Sequence, residues 1–270
     1  MRTVVITGSA RGLGLEMAKV FRENNLNVII SDLDEEKLKL AKEELMKIES
    51  NGKIKYFVCD VTKSKDVSKL IKSTKKLFGD IDVWINNAGV NQPWKAIWEL
   101  TEEEIDLILD VDLKGTMICS KLIMEEMIKQ DTGAIYNIEG YGSNDAHMLG
   151  LSVYGTSKRA ITYFTEALAK ESEEKGTNVI VGKLSPGIMI TDFITNALGD
   201  KEKIELPSKT KRVYNILGDY PDVVAKFLVQ NILDNDENNV RIEWLTKKKA
   251  MFRFLTAIFN RRNFFKEKNN

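Results

Sequence analysis

A tyrosine and a lysine four positions apart, Tyr154 and Lys158, are the residues best suited to proton transfer. Side chains spaced i, i+4 share one face of a helix, so the phenol and the ammonium can lie close together. A phenol ordinarily has a pKa of about 10, and a nearby positive charge favours the phenolate and lowers that pKa. We therefore expect Tyr154 to act as general acid and base on a carbonyl or alcohol oxygen, the alternative being an ordinary surface pair.

A glycine-rich segment between an apolar run and an amphipathic run predicts a phosphate-binding loop. Residues 7–14 read Thr-Gly-Ser-Ala-Arg-Gly-Leu-Gly. Glycine permits positive φ in a tight turn and lets the backbone approach a pyrophosphate at the N-terminus of the following helix. The residues of this loop expected to contact a dinucleotide are Gly8, Ser9, Arg11, Gly12, Leu13 and Gly14.

The choice of dinucleotide depends on an acidic residue at the end of the next apolar run. Asp32 follows Gly12 by 20 residues, a spacing typical of the carboxylate that accepts hydrogen bonds from the adenosine ribose. Because a carboxylate there repels a 2′-phosphate, NAD is the preferred cofactor. NADP stays open, since Arg11 could pair with a 2′-phosphate; alternatively, Arg11 is a solvent-facing loop charge.

Short apolar runs that alternate with longer amphipathic segments predict the scaffold. Continuous apolar runs indicate strands buried on both faces, and the strand–helix–strand rhythm implies right-handed crossovers. We expect an α/β fold with a doubly wound, mostly parallel sheet of about seven strands and helices on both faces. The predicted strands are 3–7, 27–31, 54–59, 81–86, 134–138, 178–184 and 240–244. The predicted helices are 12–24, 35–49, 64–78, 101–129, 152–175 and 221–233, with a capping box from Thr101 to Glu104.

The domain organisation follows from where this rhythm holds and where it breaks. Residues 1–245 are expected to form a single catalytic domain, in which residues 193–220, with Gly199, Pro207 and Gly218, form a substrate-binding excursion. Residues 246–270 form a basic amphipathic extension. We expect the extension to pack against the body or a second subunit, with contact to an anionic membrane surface as the less favoured alternative.

The composition excludes several classes of protein. The chain has 40 basic and 40 acidic residues, so nucleic-acid binding is not expected. Its two cysteines have no metal-type spacing and predict no disulfide, and a single histidine argues against a metal site or a Ser-His-Asp triad. No signal peptide or membrane span is predicted, so we expect a cytoplasmic protein.

Five motifs in chain order resemble those of the short-chain dehydrogenase/reductase family. They are the glycine loop, Cys59-Asp60-Val61, Asn86-Asn87-Ala88-Gly89, Tyr154-x-x-x-Lys158, and Ser185-Pro186-Gly187 followed by Thr191. The resemblance covers roughly residues 3–190. It implies a Rossmann-type fold, a homodimer or homotetramer, and hydride transfer between NAD(P) and a small-molecule carbonyl or alcohol. It also implies that Lys158 holds the nicotinamide ribose, and that further cofactor contacts are Asp60, Val61, Asn87, Ala88, Gly89, Pro186, Gly187 and Thr191.

Two positions depart from the family pattern. Glu139 and Gly140 stand where the family has a serine pair, so another hydroxyl must polarise the substrate oxygen. The candidates are Ser143, which we favour, Tyr141 and Ser152. Asp112 replaces the family's helix asparagine, and a carboxylate can accept but not donate in a proton relay. These departures support an alternative function, a dinucleotide-binding sensor with weak or no catalysis.

The departures also narrow the resemblance within the family. Residues 137–143, Asn-Ile-Glu-Gly-Tyr-Gly-Ser, are similar to a segment of the branch that contains plant chlorophyll(ide) b reductases. Residues 253–256, Arg-Phe-Leu-Thr, and their basic-aromatic surroundings are similar to the end of that branch's domain. Members of the branch reduce a ring formyl group with NADPH. The resemblance therefore implies carbonyl reduction on a bulky apolar substrate.

Overall fold

The computed structural model describes residues 1–198, 201–203, 205–259 and 262–265, and parallel strands form its centre. The strands of the main sheet are β1 (Thr3–Thr7), β2 (Asn27–Asp32), β3 (Ile54–Val58), β4 (Val83–Asn86), β5 (Gly133–Ile138), β6 (Val179–Ser185) and β9 (Arg241–Glu243). They pair in the order β3-β2-β1-β4-β5-β6-β9, and every pair is parallel. The predicted doubly wound α/β fold is confirmed, and the predicted strand limits differ by at most two residues.

Helices cover both faces of this sheet. They are α1 (Gly12–Glu23), α2 (Glu35–Met46), α3 (Ser64–Phe78), α4 (Glu102–Ile108), α5 (Thr116–Gln130), α6 (Ser152–Glu174), α7 (Ser208–Leu217), α8 (Pro221–Asp234) and α9 (Lys247–Thr256). Successive strand residues point to opposite faces, so Val4 and Ile6 pack with α1, α2 and α8, whereas Val5 packs with α3 and α5. This two-sided burial explains why the strands have continuous apolar sequences.

The segment predicted as one helix over residues 101–129 contains a change of helical form. Its start is confirmed: Glu104 N donates to Thr101 Oγ1 at 3.2 Å, and Thr101 N donates to a Glu104 carboxylate oxygen at 2.8 Å. Between α4 and α5, however, Leu109–Gly115 form a π-helical stretch. Such wide turns often occur at functional sites, because they re-aim a side chain without ending the helix. Here the stretch contains Asp112.

The predicted excursion contains secondary structure that the sequence did not indicate. A short antiparallel pair, β7 (Asn196–Ala197) with β8 (Glu202–Lys203), precedes α7. Three residues of the excursion lie outside the described residues: 199, 200 and 204. One of them is Gly199, which was used to predict the excursion. In the extension, α9 matches the predicted amphipathic pattern, while residues 260, 261 and 266–270 lie outside the described part.

Candidate active site

The glycine loop joins β1 to α1 in the backbone conformation that its sequence predicted. Gly8 and Gly12 have φ values of +60° and +58°, which favour glycine. A Cβ on Gly8 would lie 2.5 Å from Ala88 Cα, and one on Gly14 would lie 2.7 Å from the Gly8 oxygen. The Asn87 amide donates to that same oxygen at 2.7 Å. The loop is therefore held against β4 in one shape, with its backbone open to the cleft.

Most of the predicted cofactor residues line one cleft, at the carboxyl ends of the strands. Its volume is about 510 Å³. The predicted residues that line it are Gly8, Arg11, Gly12, Leu13, Asp32, Asp60, Val61, Asn87, Ala88, Gly89, Tyr154, Lys158, Pro186, Gly187 and Thr191. Ser9 and Gly14 do not line it. The Ser9 hydroxyl donates to Ile6 O at 2.6 Å and its N–H to Ser31 O at 3.0 Å, so Ser9 stabilises the turn instead.

Charged residues surround the end of the cleft next to β2. Asp32 accepts from Leu33 N at 2.8 Å and from Ala10 N at 3.3 Å, so the backbone fixes its carboxylate at the cleft wall. Asp34 accepts from Lys37 N and caps α2, and the Lys37 ammonium lies 3.4 Å from it. Carboxylates therefore face the position where an adenosine ribose would lie, beside the cations of Arg11 and Lys37.

The predicted acid/base pair lies near the start of α6, and both side chains are buried. Lys158 Nζ lies 5.4 Å from the centroid of the Tyr154 ring. The helix start is held by Gln92, whose Oε1 accepts from Val153 N at 2.9 Å and Tyr154 N at 3.1 Å. No residue in the described ranges hydrogen-bonds to Tyr154 Oη, so this hydroxyl can bond to a ligand. Sequence reasoning missed Gln92, because nothing in its local pattern marks a helix cap so distant in sequence.

Asp112 completes a buried charge pair behind the tyrosine. Its Oδ2 lies 3.2 Å from Lys158 Nζ, and its Oδ1 accepts from Val90 N at 2.7 Å. Burial raises the pKa of the Asp112 carboxyl, against the opposing effects of Lys158 and the Val90 N–H. Burial also raises the pKa of the Tyr154 phenol, and the charge on Asp112 raises it further. The expectation that Lys158 lowers the phenol pKa is therefore corrected: burial dominates, and the ammonium is paired.

The structure does not support Ser143 as the hydroxyl that polarises a substrate. Ser143 is buried outside the cleft lining, where its Oγ donates to Lys158 O and accepts from Gly140 N, both at 3.2 Å. Its role is to hold the loop after β5 against α6. The backbone of Gly140 lies close to the tyrosine. Any side chain at position 140 would therefore collide with Tyr154 Oη. Of the other candidates, Tyr141 lines the cleft and donates to His147 O at 3.1 Å, whereas Ser152 is exposed and does not line it.

Glu139 forms an ion pair that sequence reasoning did not predict. Its side chain is fully buried and accepts from Arg241 Nε at 2.7 Å and from Thr162 Oγ1 at 2.9 Å. Arg241 belongs to the edge strand β9, which lies 102 positions away in sequence. The pair links the loop after β5 to the end of the sheet. It satisfies a carboxylate that would otherwise be costly to bury.

The other end of the cleft is apolar, and the predicted excursion supplies much of its wall. Its contributions are Phe193, Ile194, Leu198, Leu206 and Tyr214. The ring of Phe193 lies 6.0 Å from that of Tyr154. Asp219, at the end of the excursion, pairs with the strand-like loop after β6, accepting from Ile190 N at 2.9 Å and donating to Ile188 O at 3.0 Å. A substrate next to the tyrosine would therefore contact the excursion.

The described cysteines and acidic residues form no cluster suited to a metal ion. Cys59 and Cys119 are free and buried, and burial raises the pKa of the Cys59 thiol to about 12. Across the ranges that the structure describes, no group of three or more histidine, cysteine or acidic side chains is arranged to hold a metal ion.

Comparison with known proteins matches the chain to one family. The sequence profile described as "short chain dehydrogenase" matches residues 2–202. The chain is 31% identical to the probable chlorophyll(ide) b reductase NYC1 of Arabidopsis thaliana over 98% of its own length and 54% of that protein. It is 32% identical to the chlorophyll(ide) b reductase NOL of the same plant, over 94% of this chain and 70% of that one. The chain thus spans about half the length of the first of these relatives.

Solved structures share the fold at lower identity. Levodione reductase superposes with a TM-score of 0.78 at 21% identity, covering 92% of this chain and 98% of the other. An alcohol dehydrogenase from the archaeon Thermococcus sibiricus superposes with a TM-score of 0.75 at 23% identity, covering 90% and 96%. These superpositions support the architecture described above.

Proposed function

The chain belongs to the short-chain dehydrogenase/reductase family of oxidoreductases, and we propose that it reduces a carbonyl group on a bulky apolar substrate with NADH. The observation that carries the proposal is the position of Tyr154. Its hydroxyl faces a cleft with the glycine loop and Asp32 at one end and an apolar wall at the other. This arrangement suits a reaction in which a cofactor and a carbonyl compound meet beside a proton donor.

The residues present fit a nicotinamide dinucleotide. The positive φ values of Gly8 and Gly12 leave loop backbone available for a pyrophosphate at the start of α1. The fixed carboxylate of Asp32 can accept hydrogen bonds from two ribose hydroxyls, and it opposes a 2′-phosphate electrostatically. Lys158 would hold the second ribose. When bound, the cofactor supplies the hydride; the protein supplies position and the proton.

Tyr154 is the proton donor in this proposal. Its raised pKa keeps the phenol protonated at neutral pH, the state that a reduction requires. As hydride reaches the carbonyl carbon, the oxygen gains negative charge and takes the proton from Tyr154 Oη. Lys158, paired with Asp112, stands behind the ring and stabilises the phenolate that remains. In this proposal the proton comes from Tyr154 itself and not from a hydroxyl at position 140.

The apolar wall and the relatives both support a large hydrophobic substrate. Phe193, Leu206 and Tyr214 give the wall aromatic and aliphatic surface next to the tyrosine. The relatives named chlorophyll(ide) b reductases are 31–33% identical to this chain. We accordingly propose an aldehyde or ketone on an extended ring system as the substrate class.

A reductase assay tests this function. Purified protein would be incubated with NADH or NADPH and with chlorophyllide b or simpler aromatic aldehydes, while nicotinamide absorbance and the alcohol product are followed. We expect turnover with NADH, and Tyr154→Phe should lower kcat by about 10²–10⁴-fold. Asp32→Asn should raise KM for NADH by about tenfold or more. Unchanged turnover in Tyr154→Phe would contradict the role of the tyrosine, and a preference for NADPH would contradict that of Asp32.

A dinucleotide-binding sensor is the second candidate function, because neither Gly140 nor Ser143 offers a hydroxyl to a substrate. Titration with NADH, followed by nicotinamide fluorescence and thermal shift, separates the two. Binding of NADH without reduction of any carbonyl compound would favour the sensor. Absence of binding would contradict both functions.

A further inference from the structure

Helix α9 contacts the rest of the protein through its charged face. Arg253 forms an ion pair with Asp219 at 2.7 Å and donates to Leu217 O at 2.8 Å. Lys249, one turn earlier, lies over the ring of Trp244. The polar side of this amphipathic helix is therefore turned inward. The expectation that the extension packs against the body holds for Phe264 and Phe265 but not for the apolar side of α9, and contact with a second subunit stays a prediction.

The apolar face of α9 and of the turn after it points to solvent. Met251, Phe252, Leu255, Ile258 and Phe259 are 62 to 87% exposed, and their spacing places them along one side of a helix. We call these five residues the outer stripe. The exposed lysines Lys247 and Lys248 lie four positions before Met251 and Phe252. They are therefore on the same side of the helix, at its N-terminal end.

Such a stripe needs a partner. Scattered exposed apolar residues are normal, but contiguous apolar surface bordered by charge marks an interaction site. Three occupants fit its chemistry: a second copy of the chain, an acidic protein, or the surface of an anionic membrane. A spanning role does not fit, since no helix within the described ranges is long and apolar enough to cross a bilayer.

Charge and apolar surface together favour one of these occupants. Lys247 and Lys248 are exposed at the start of the outer stripe, whereas Arg253 and Arg262 are paired with Asp219. A symmetric contact between two copies would place the exposed lysines of both at one interface, and like charges repel. An acidic protein offers these lysines attraction alone, whereas an anionic lipid surface attracts them and its headgroup region also accepts the aromatic and aliphatic side chains. We propose that the outer stripe docks this protein on the surface of an anionic membrane.

The position of the docking helix relates it to the cleft. Arg262 pairs with Asp219 at 3.2 Å, and Phe264 N donates to Asn215 Oδ1 at 2.8 Å. Phe265 packs against Tyr214, which lines the apolar wall of the cleft. The segment after α9 therefore braces the excursion from behind. If the proposed function holds, docking keeps the enzyme at the bilayer in which a hydrophobic substrate dissolves.

Vesicle sedimentation with the full chain tests the proposal. The probes are phosphatidylcholine vesicles with and without phosphatidylglycerol at roughly one third of the lipid. We expect the protein to sediment with the anionic vesicles only and to be released at high salt. Phe252→Ser/Leu255→Ser/Ile258→Ser should weaken binding by at least about 100-fold. Lys247→Ala/Lys248→Ala should weaken it by about 30-fold.

A matched control uses equally exposed apolar residues elsewhere. Leu40→Ser/Met46→Ser removes exposed side chains from α2 and should leave vesicle binding unchanged. Circular dichroism and NADH binding check that each variant is folded.

No sedimentation of the wild-type protein at low salt would overturn the proposal, and so would full binding by the triple serine variant. Conversion of a dimer to a monomer by that variant, without vesicle binding by the wild type, would assign the stripe to a second copy. Sedimentation needs no substrate, so a failed reductase assay leaves it untouched.

Discussion

Replacing Asp112 by asparagine isolates the effect of one buried charge on the catalytic tyrosine. The substitution conserves shape, but it removes the carboxylate that pairs with Lys158 at 3.2 Å. One change in the field at Tyr154 follows. The negative charge that raises the phenol pKa is lost, and the positive charge of Lys158 is left unopposed. This change favours the phenolate, so the pKa of Tyr154 should fall.

The size of this fall can be worked out from the geometry. Lys158 Nζ is 5.4 Å from the ring centroid and 3.2 Å from Asp112 Oδ2. The carboxylate is therefore within about 9 Å of the ring, where a unit charge contributes about 2 kcal/mol at an effective dielectric constant of about 20. That energy corresponds to about 1.5 pKa units. We expect the pKa of Tyr154 to fall by about 1–2 units in Asp112→Asn.

The pH dependence of the reduction measures this shift. Reduction needs the protonated phenol, so activity is present below the pKa of Tyr154 and is lost as pH rises through it. In Asp112→Asn the alkaline loss of kcat should begin about 1–2 pH units lower than in the wild type. Asp110→Asn is the matched control. It lies in the same π-helical stretch, but its carboxylate is exposed and pairs with Lys114, so the profile should not move.

An unchanged profile in Asp112→Asn would refute this reasoning. It would mean that the Asp112 carboxyl carries a proton in the native protein, or that the pH dependence belongs to a group other than the tyrosine. A shift to higher pH would contradict the sign of the argument. Measuring the free energy of unfolding for the same variant distinguishes a loss of stability from a change in the pKa of Tyr154.

Three further predictions concern the loop after β5. Gly140→Ser, which restores the usual serine, should lower kcat and destabilise the fold by about 1–3 kcal/mol in urea unfolding, because the added side chain collides with the tyrosine hydroxyl; increased turnover would contradict this. Ser143→Ala should lower the free energy of unfolding by about 1–2 kcal/mol and lower kcat only a few-fold. A fall in kcat of about 10²–10³-fold would instead indicate that Ser143 takes part in catalysis. Arg241→Ala should cost about 2–3 kcal/mol by leaving buried Glu139 unpaired, while Lys121→Ala, which breaks an exposed pair, should cost about 0.5 kcal/mol or less.

The sheet could be predicted because its signal is local. Each strand is buried on both faces, so runs such as Val4-Val5-Ile6 are apolar without alternation, and a parallel sheet places their carboxyl ends at one edge. The glycine loop was predictable for the same reason, since positive φ at Gly8 and Gly12 restricts the residue type directly. Both features depend on a single segment, so the sequence of that segment was enough to predict them.

The serine replacement could not be predicted, because it depends on contacts between segments. Ser143 is the nearest serine in sequence, but its direction is set by Gly140 N and Lys158 O, which both hydrogen-bond to its Oγ. Glycine at position 140 reports a close approach by the Tyr154 hydroxyl, and that distance exists only once β5 and α6 are packed. Chain proximity was therefore a poor guide to which side chain faces the substrate.

The orientation of α9 could not be predicted, for a related physical reason. Helical periodicity identifies which residues share a face, but it does not say which face turns inward. Here the choice is made by Asp219, a nearly buried carboxylate at the end of the excursion that cannot remain unpaired at low cost. Arg253 and Arg262 satisfy it, together with the indole N–H of Trp244 at 2.6 Å. Once the basic face is drawn inward, the aromatic face is left to solvent, and the same ion pairs that brace the cleft create the surface proposed to meet a membrane.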